Sequence, residues 1–374
     1  MEIGVNARFL EKRVAGIGQY TGSLFRKLAE INPNDNFTLV VRQKIDHDFP
    51  QNVCVKIIPE KKWLLFGGPK KGFWEHCQLR RFFNSQKFDV VHFTYPAYPI
   101  RGLAVPSVTT IHDIIPWQDK RYRKKIRSKI YFWLTGKALK KAPQFIAVSE
   151  TTKHDFAKQF SINPSKITVT YEAVSDSYKN PTTECKLPTT NYLLYVGGYD
   201  ARKNVKKLVS LVSQLKEPNL TLILAGGKLD SGKLYDSYNL QKSSQESSVN
   251  VLKTGFLNEE ELSALYKNAK ALINISEKEG FNLPLLEAAY VGTPVITSDI
   301  PVHRELYGDY AVFLPLNDDK KSLKILRQFM KNPQTPKVDL KEKYNWENSA
   351  KITYNAYLKT IKRCSGLREY ISSQ

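Results

Sequence analysis

Long apolar runs are missing from this sequence. No stretch of the 374 residues approaches 18 consecutive apolar positions, which excludes a transmembrane helix. Cysteine is scarce: Cys54, Cys77, Cys185 and Cys364 are widely scattered and no CxxC pair exists. That spacing indicates neither a zinc site nor a disulfide framework, and a reducing cytoplasm is the default setting. The opening MEIGVNARFL has no basic segment followed by a long apolar one, so it reads as a strand and not as a signal peptide. Internal repeats and low-complexity tracts are absent as well. Acidic residues are few: 36 Asp and Glu stand against 57 Lys and Arg, a net charge of +21. Residues 1–180 carry a net +15 and the remainder +6, and the excess peaks in DKRYRKKIRSKIYFWLTGKALKKA, 119–142. Such a face attracts polyanions, either nucleic acid or an anionic membrane surface.

The chain has ordinary globular composition and a length that suits two domains. Short β-branched runs recur at 3–7, 37–41, 53–58, 89–93, 107–112, 145–149 and 167–171, and again at 192–198, 220–227, 249–255, 271–276, 294–299 and 311–315. Amphipathic patterns fall between them, among them ARKNVKKLVSLVSQL (201–215) and NEEELSALYKNA (258–269). Strands alternating with helices imply parallel sheets covered on both faces. Two such series predict an α/β chain of two doubly wound domains, 1–178 and 192–345. The aperiodic SDSYKNPTTECKLPTTN around 179–191 reads as a linker, and a helical tail runs over 346–374 and returns across the domains. Two such domains are expected to face each other across a cleft, with ligands outside the carboxyl ends of the strands.

The stretch SEKEGFNLPLLEA (276–288) sits at such an end. A strand stops, a loop follows, and a helix opens with Pro284 near its first position. Glu279 precedes the helix and Glu287 lies inside it. Eight helical residues would separate them by roughly 12 Å, too far to share a proton and beyond the usual glycosidase spacing. Around Gly280, the amides of Phe281, Asn282 and Leu283 would form a helix start suited to a phosphate. The pattern suggests an elongated ligand with hydroxyls at both ends and phosphate between.

YVGGYDARKNVKKL (195–208) ends a strand in Gly197-Gly198 and places Arg202 and Lys203 at a helix start. Small residues permit close approach and the two cations suit a diphosphate; a solvated basic helix start is the bland alternative. VAGIGQYTGSLFRKL (14–28) reads as a glycine-punctuated loop leading to a helix, with Gly16 and Gly18 free to approach a phosphate or an acceptor. His112 ends the strand of SVTTIHDIIPW and His92 ends DVVHF; lone histidines are more often structural. Asp46-x-Asp48 has the letters of a metal–nucleotide motif, but nothing nearby offers further ligands, so no metal is expected.

Together these stretches resemble the family-4 retaining glycosyltransferases, with the two-Rossmann-domain architecture called GT-B. The strongest mark is the E-x7-E of EGFNLPLLEAAYVGTPVITSD. AGIGQYT, TTIHDIIP, FIAVSETTKHDF, ARKNV, LAGG and TGFLNEEELSALYKNAKALINIS support it in order and spacing along nearly the whole chain. The mannosyltransferase-like branch of surface-polysaccharide assembly is the most similar. The resemblance implies that Glu279 binds hydroxyls of the transferred sugar and Glu287 the ribose. It implies that the Phe281, Asn282 and Leu283 amides meet phosphate and sugar, and that Lys203 with Arg202 neutralises the diphosphate. It implies further that His112 contacts the sugar near its anomeric carbon, and that Gly16 and Gly18 admit phosphate or acceptor. Many members carry arginine where Gly198 stands, a role Arg202 can assume.

The expected partners follow from that resemblance. They are a nucleotide-sugar donor, with GDP-mannose first and UDP-sugars next, a glycan or lipid-linked acceptor, and no resident cofactor. KKWLLFGGPKKGFWEHCQLRRFF (61–83) and 119–142 interleave cations with aromatics, as interfacial surfaces do; a solvated helix face over core aromatics remains open. A cytoplasmic protein at the inner face of the plasma membrane is the matching location. The rivals are a nucleic-acid-binding protein, for which no module is recognised, a relative that cleaves or epimerises nucleotide sugars, and a nucleotide-sugar binder without activity.

Overall fold

Among the described residues, thirteen strands form where the β-branched runs fall, and every pairing is parallel. The computed structural model describes residues 1–11, 16–61, 70–178, 191–217, 219–227, 249–333 and 339–372. The chain divides into one unit of Met1–Ala173 with Tyr344–Gln374 and a second of Val174–Lys343. Most of the aperiodic linker stretch, 179–190, lies outside the described residues.

The first unit's sheet uses β1 (Glu2–Asn6), β2 (Asn36–Val41), β3 (Val53–Ile57), β4 (Val90–Phe93), β5 (Ser107–Ile111), β6 (Gln144–Ala147) and β7 (Ile167–Val169). Their order is β3-β2-β1-β4-β5-β6-β7. The pleat sends Leu39 and Val41 into one apolar layer and Val40 into the other, as a sheet covered on both faces requires. One layer is closed by α1 (Gly16–Ile31), whose Tyr20, Leu24, Phe25 and Leu28 are fully buried at helical spacing. Each such side chain contributes about 1.5–3 kcal/mol. The other layer includes Trp74, Leu79 and Phe83, the last two on α2 (Leu79–Ser85). Two further helices are α3 (Ile126–Leu139) and α4 (Glu150–Phe160); Ser149 caps α4 by accepting from the Thr152 amide. The tail helix, Trp346–Ser372, packs on α1 and on the middle strands of this sheet through Ala350, Ala356 and Tyr357.

The second unit's sheet uses β8 (Tyr192–Val196), β9 (Thr221–Ala225), β10 (Asn250–Gly255), β11 (Ala271–Asn274), β12 (Val295–Ser298) and β13 (Val312–Leu314), in the order β10-β9-β8-β11-β12-β13. Between them run α5 (Val205–Ser213), α6 (Glu259–Asn268), α7 (Leu283–Tyr290) and α8 (Pro301–Tyr307), and α9 (Asp319–Lys331) follows β13. Asn258 and Glu261 form a reciprocal capping box at the start of α6. In both sheets the strand order reverses direction once, between β1 and β4 and between β8 and β11. Loops leaving neighbouring strands diverge at such a point and open a crevice at the carboxyl ends.

Two expectations are corrected. Gly16 and Gly18 do not lie in a loop: α1 begins at Gly16 and Gly18 is buried in its first turn. The apolar stripe that continues through Tyr20 outweighs the weak helix propensity of glycine. Nor do Arg202 and Lys203 open the following helix. They occupy a separate 3-10 turn, Ala201–Lys203, which Asn204 ends in the left-handed region at φ 53° before α5 starts.

Candidate active site

The reversal point of the second sheet brings the β8 and β11 loops together. Asp200 caps the 3-10 turn by accepting from the Arg202 amide at 3.1 Å. The Glu277 amide donates to the Arg202 carbonyl at 2.8 Å, and Asn204 Nδ2 reaches the Ile275 carbonyl at 3.3 Å. Arg202 Nη1 donates both to the Lys278 carbonyl and to Glu279 Oε2, each at 2.7 Å. Lys203 Nζ pairs with the other carboxylate oxygen, Glu279 Oε1. The two cations are therefore held on one carboxylate, and the three residues share a mostly buried cluster. Burial alone would raise Glu279; Lys203 and Arg202 outweigh it and hold the carboxyl at about 2.

Gly226, at the end of β9, shapes the same rim. Its φ is +98°, and a Cβ there would stand 2.8 Å from the Gly197 carbonyl oxygen, so only glycine fits. Gly198 is different: a Cβ would meet nothing within 4 Å. The protein's own packing does not require glycine at that position.

Helix α7 starts four residues beyond Glu279. Pro284 is its second residue, and Asn282 precedes it as N-cap at φ 74°. Phe281, Asn282 and Leu283 are all buried, and Tyr307 Oη donates to the Phe281 and Asn282 carbonyls at 3.3 and 3.2 Å. Glu287, a turn into α7, is 5 % exposed and accepts from Tyr266 Oη at 2.7 Å. Burial pushes its carboxyl up to about 7; the Tyr266 bond opposes this and Glu259 adds to it.

In the first unit, His112 follows β5. Its Nδ1 is 2.8 Å from Glu172 Oε1 and its Nε2 is 3.0 Å from the Thr94 carbonyl. The Thr94 carbonyl can only accept, so the ring donates to it from Nε2. Tyr20 stacks edge-on against it at 4.7 Å. His92 is a core residue: it is fully buried, bonded to Tyr357 Oη and Thr110 Oγ1, and burial lowers it to about 3.

The family description "Glycosyl transferases group 1" matches residues 182–351, and "Glycosyltransferase Family 4" matches residues 14–178. Together they span both units. The chain belongs to glycosyltransferase family 4. This glycosyltransferase is 29 % identical over 336 residues to the O-antigen chain mannosyltransferase RfbU of Salmonella typhimurium, covering 84 % of this chain and 87 % of that one. In fold it is similar to a sucrose-phosphate synthase from Thermosynechococcus elongatus, with TM-score 0.71, 15 % identity and all of both chains covered. It is similar too to Anabaena Alr3699/HepE in complex with UDP-glucose, with TM-score 0.65, 14 % identity and again all of both chains covered. The GT-B fold is that of two doubly wound units.

The glycosyltransferase carries its exposed apolar side chains unevenly. On α3, Ile126, Ile130 and Trp133 are 71, 52 and 57 % exposed along one stripe, and Lys137 Nζ lies 3.9 Å over the Trp133 ring. Arg127, Lys129, Lys140 and Lys141 are exposed around them. By contrast Trp74, Leu79 and Phe83 of the 61–83 stretch are core residues, so those three side chains are not offered to a surface; residues 62–69 lie outside the described ones. No described helix is long and apolar enough to cross a membrane. Sequence reasoning missed Tyr266, Glu172 and His303. Each is spaced like an ordinary helix or loop residue, and its significance comes from a partner distant in sequence.

Proposed function

We propose that this glycosyltransferase is a retaining hexosyltransferase that moves a hexose, mannose first, from a nucleotide diphosphate sugar to a glycan or lipid-linked acceptor. The observation that carries this is the preassembled Arg202–Lys203–Glu279 cluster beside the start of α7. A diphosphate entering there would meet two cations and a helix start, while Glu279 faces the hydroxyls of the attached sugar. Glu287 would take the ribose: a carboxyl that titrates near 7 can both donate to and accept from hydroxyls. His112, which follows β5 at the carboxyl end of the first sheet, would contact the transferred sugar, as the family resemblance implies. The relationship to an O-antigen mannosyltransferase supports mannose, and the UDP-glucose complex of HepE supports a nucleotide sugar.

No carboxylate in the cluster is placed as a nucleophile, because Glu279 is occupied by two cations. The reading is therefore a same-face substitution. The acceptor oxygen bonds to the anomeric carbon, the bond to the diphosphate oxygen breaks on the same face, and the departing diphosphate takes the acceptor's proton. Lys203, Arg202 and the α7 amides stabilise the developing charge from fixed positions, the work a metal ion performs elsewhere. A panel of nucleotide sugars in a thermal-shift assay tests this. GDP-mannose at a hundred times its Kd should raise the melting point by about 5–10 °C. A shift only with UDP-glucose would move the donor to the UDP-sugars, and no shift with any nucleotide sugar would overturn the reading.

The α3 stripe fits an anionic membrane surface presenting the lipid-linked acceptor: apolar side chains dip in and the surrounding cations meet headgroups. Liposome flotation with anionic lipid at low salt should capture the protein, and Trp133→Glu with Ile130→Glu should release it. Equal flotation of that variant would remove α3 from the surface.

A further inference from the structure

One polar chain at the start of α7 ends in an atom that no described residue satisfies. His303, fully buried on α8, sets its Nδ1 at 2.8 Å from Thr297 Oγ1, 3.1 Å from the Ser298 carbonyl and 3.2 Å from Ser298 Oγ. The Thr297 hydroxyl donates to the Asn274 carbonyl at 3.0 Å, and the Ser298 hydroxyl donates to the Ser276 carbonyl at 2.6 Å. A hydroxyl has one hydrogen, and both are already used. All three oxygens therefore accept, and Nδ1 carries the hydrogen. Burial keeps the ring neutral, lowering it to about 4, so Nε2 is bare. The Asn282 amide meets that bare nitrogen at 3.1 Å and must present its NH2 group. This fixes the amide's orientation and sends Oδ1 the other way. That oxygen is buried and has no hydrogen-bond partner among the described residues. Asparagine tolerates the left-handed backbone this position adopts, so the side chain is added at little conformational cost.

We propose that Asn282 Oδ1 accepts a hydrogen bond from a hydroxyl of the donor's hexose, and that His303 is the positioning residue that aims it. The inference rests on the nucleotide-sugar reading and deepens it. A carbonyl oxygen repels phosphate oxygens, so its complement is the hydroxyl-bearing part of the donor and not the diphosphate. It lies three residues beyond Glu279, on the same loop. A buried acceptor left unmade is costly, so a sugar hydroxyl that satisfies it gains more than an exposed one would.

Asn282→Gly keeps the left-handed backbone and removes the amide. Affinities are measured for GDP-mannose against GDP and for UDP-glucose against UDP. For the sugar nucleotide that wild type binds, the variant should lose about three- to tenfold, while the matching nucleoside diphosphate binds as before. Equal losses for both ligands, or no loss for either, overturn the acceptor role. His303→Phe should give the same sugar-specific loss, and the double variant should be no worse than Asn282→Gly alone; additive losses overturn the positioning role. If His303→Phe does not fold, nitrogen NMR of the wild-type ring decides instead: the Nδ1–H form is expected, and the Nε2–H form overturns it. Wild-type protein that binds no nucleotide sugar removes the reading and this inference together.

Discussion

Glu279 and Glu287 stand four residues before and four residues after the first residue of the same helix, and both side chains are largely covered. Their carboxyls nevertheless move in opposite directions, to about 2 and about 7. Burial raises both. Glu279 meets Arg202 and Lys203 from the β8 loop, and their charge reverses the effect. Glu287 meets a tyrosine hydroxyl and another carboxylate, which cannot. Near pH 7 one end of the segment is a fixed anion carrying two cations, and the other is a carboxyl poised to exchange its proton. Two like residues in one motif thus present different chemistry at the two sides of one helix start.

The comparison can be broken first at its strongest point. Lys203→Ala should lower turnover about 100- to 1000-fold, the usual cost of a lost fixed charge stabiliser, with the fold retained. Near-normal turnover in a donor-transfer assay would end the assignment. Next, Glu279→Gln should cost about 3 kcal/mol of stability at pH 7, from the fall of its titration from 4.5 to about 2. Because the folded value is depressed, that stability is present above pH 4.5 and lost as pH falls through 2. Chemical unfolding at pH 7 and pH 3 checks it, and the gap to wild type should narrow at the lower pH.

Glu287→Gln should act with the opposite sign. The folded value is raised, so the carboxyl's contribution is present below pH 4.5 and lost as pH rises through 7. The variant should match wild type below pH 4.5 and exceed it by about 2–3 kcal/mol at pH 8, read as a pH series of melting temperatures. A variant less stable than wild type at pH 8 would contradict the burial argument. Smallest is Tyr266→Phe, which removes one hydrogen bond worth about 1 kcal/mol. That bond lowers Glu287, so its loss should move the midpoint of the wild-type stability drop to higher pH; an unmoved midpoint would show that Tyr266 does not govern the carboxyl.

Much of the fold was legible in short-range pattern. The β-branched runs became the strands, and helical patterns between them required parallel pairing. Gly16 and Gly18 misled, because glycine spacing reads as a loop while the buried stripe through Tyr20 and Leu24 reads as a helix; packing decided between them. Asn204 misled for the converse reason, since one left-handed residue divides an otherwise continuous helical pattern. At the site, Glu279, Glu287 and Lys203 stood out by spacing and position at strand ends. Their partners did not: Lys203 and Glu279 are 76 residues apart, and His112 and Glu172 are 60 apart. On α3, the alternation of cations and aromatics was visible, but which aromatics point outward was not.

The sequence by itself determined two doubly wound series and the strand-end stretches from which a site could be built, because periodicity and turn chemistry act over a few residues. Only the tertiary structure decided that Arg202 and Lys203 both close on Glu279, that Glu287 is left among tyrosines, and that His303 turns Asn282 Oδ1 outward from the relay. Those outcomes depend on charges and hydrogen bonds between groups that chain folding brings together, and the strength of such interactions is set by through-space distance and burial, which no local pattern encodes.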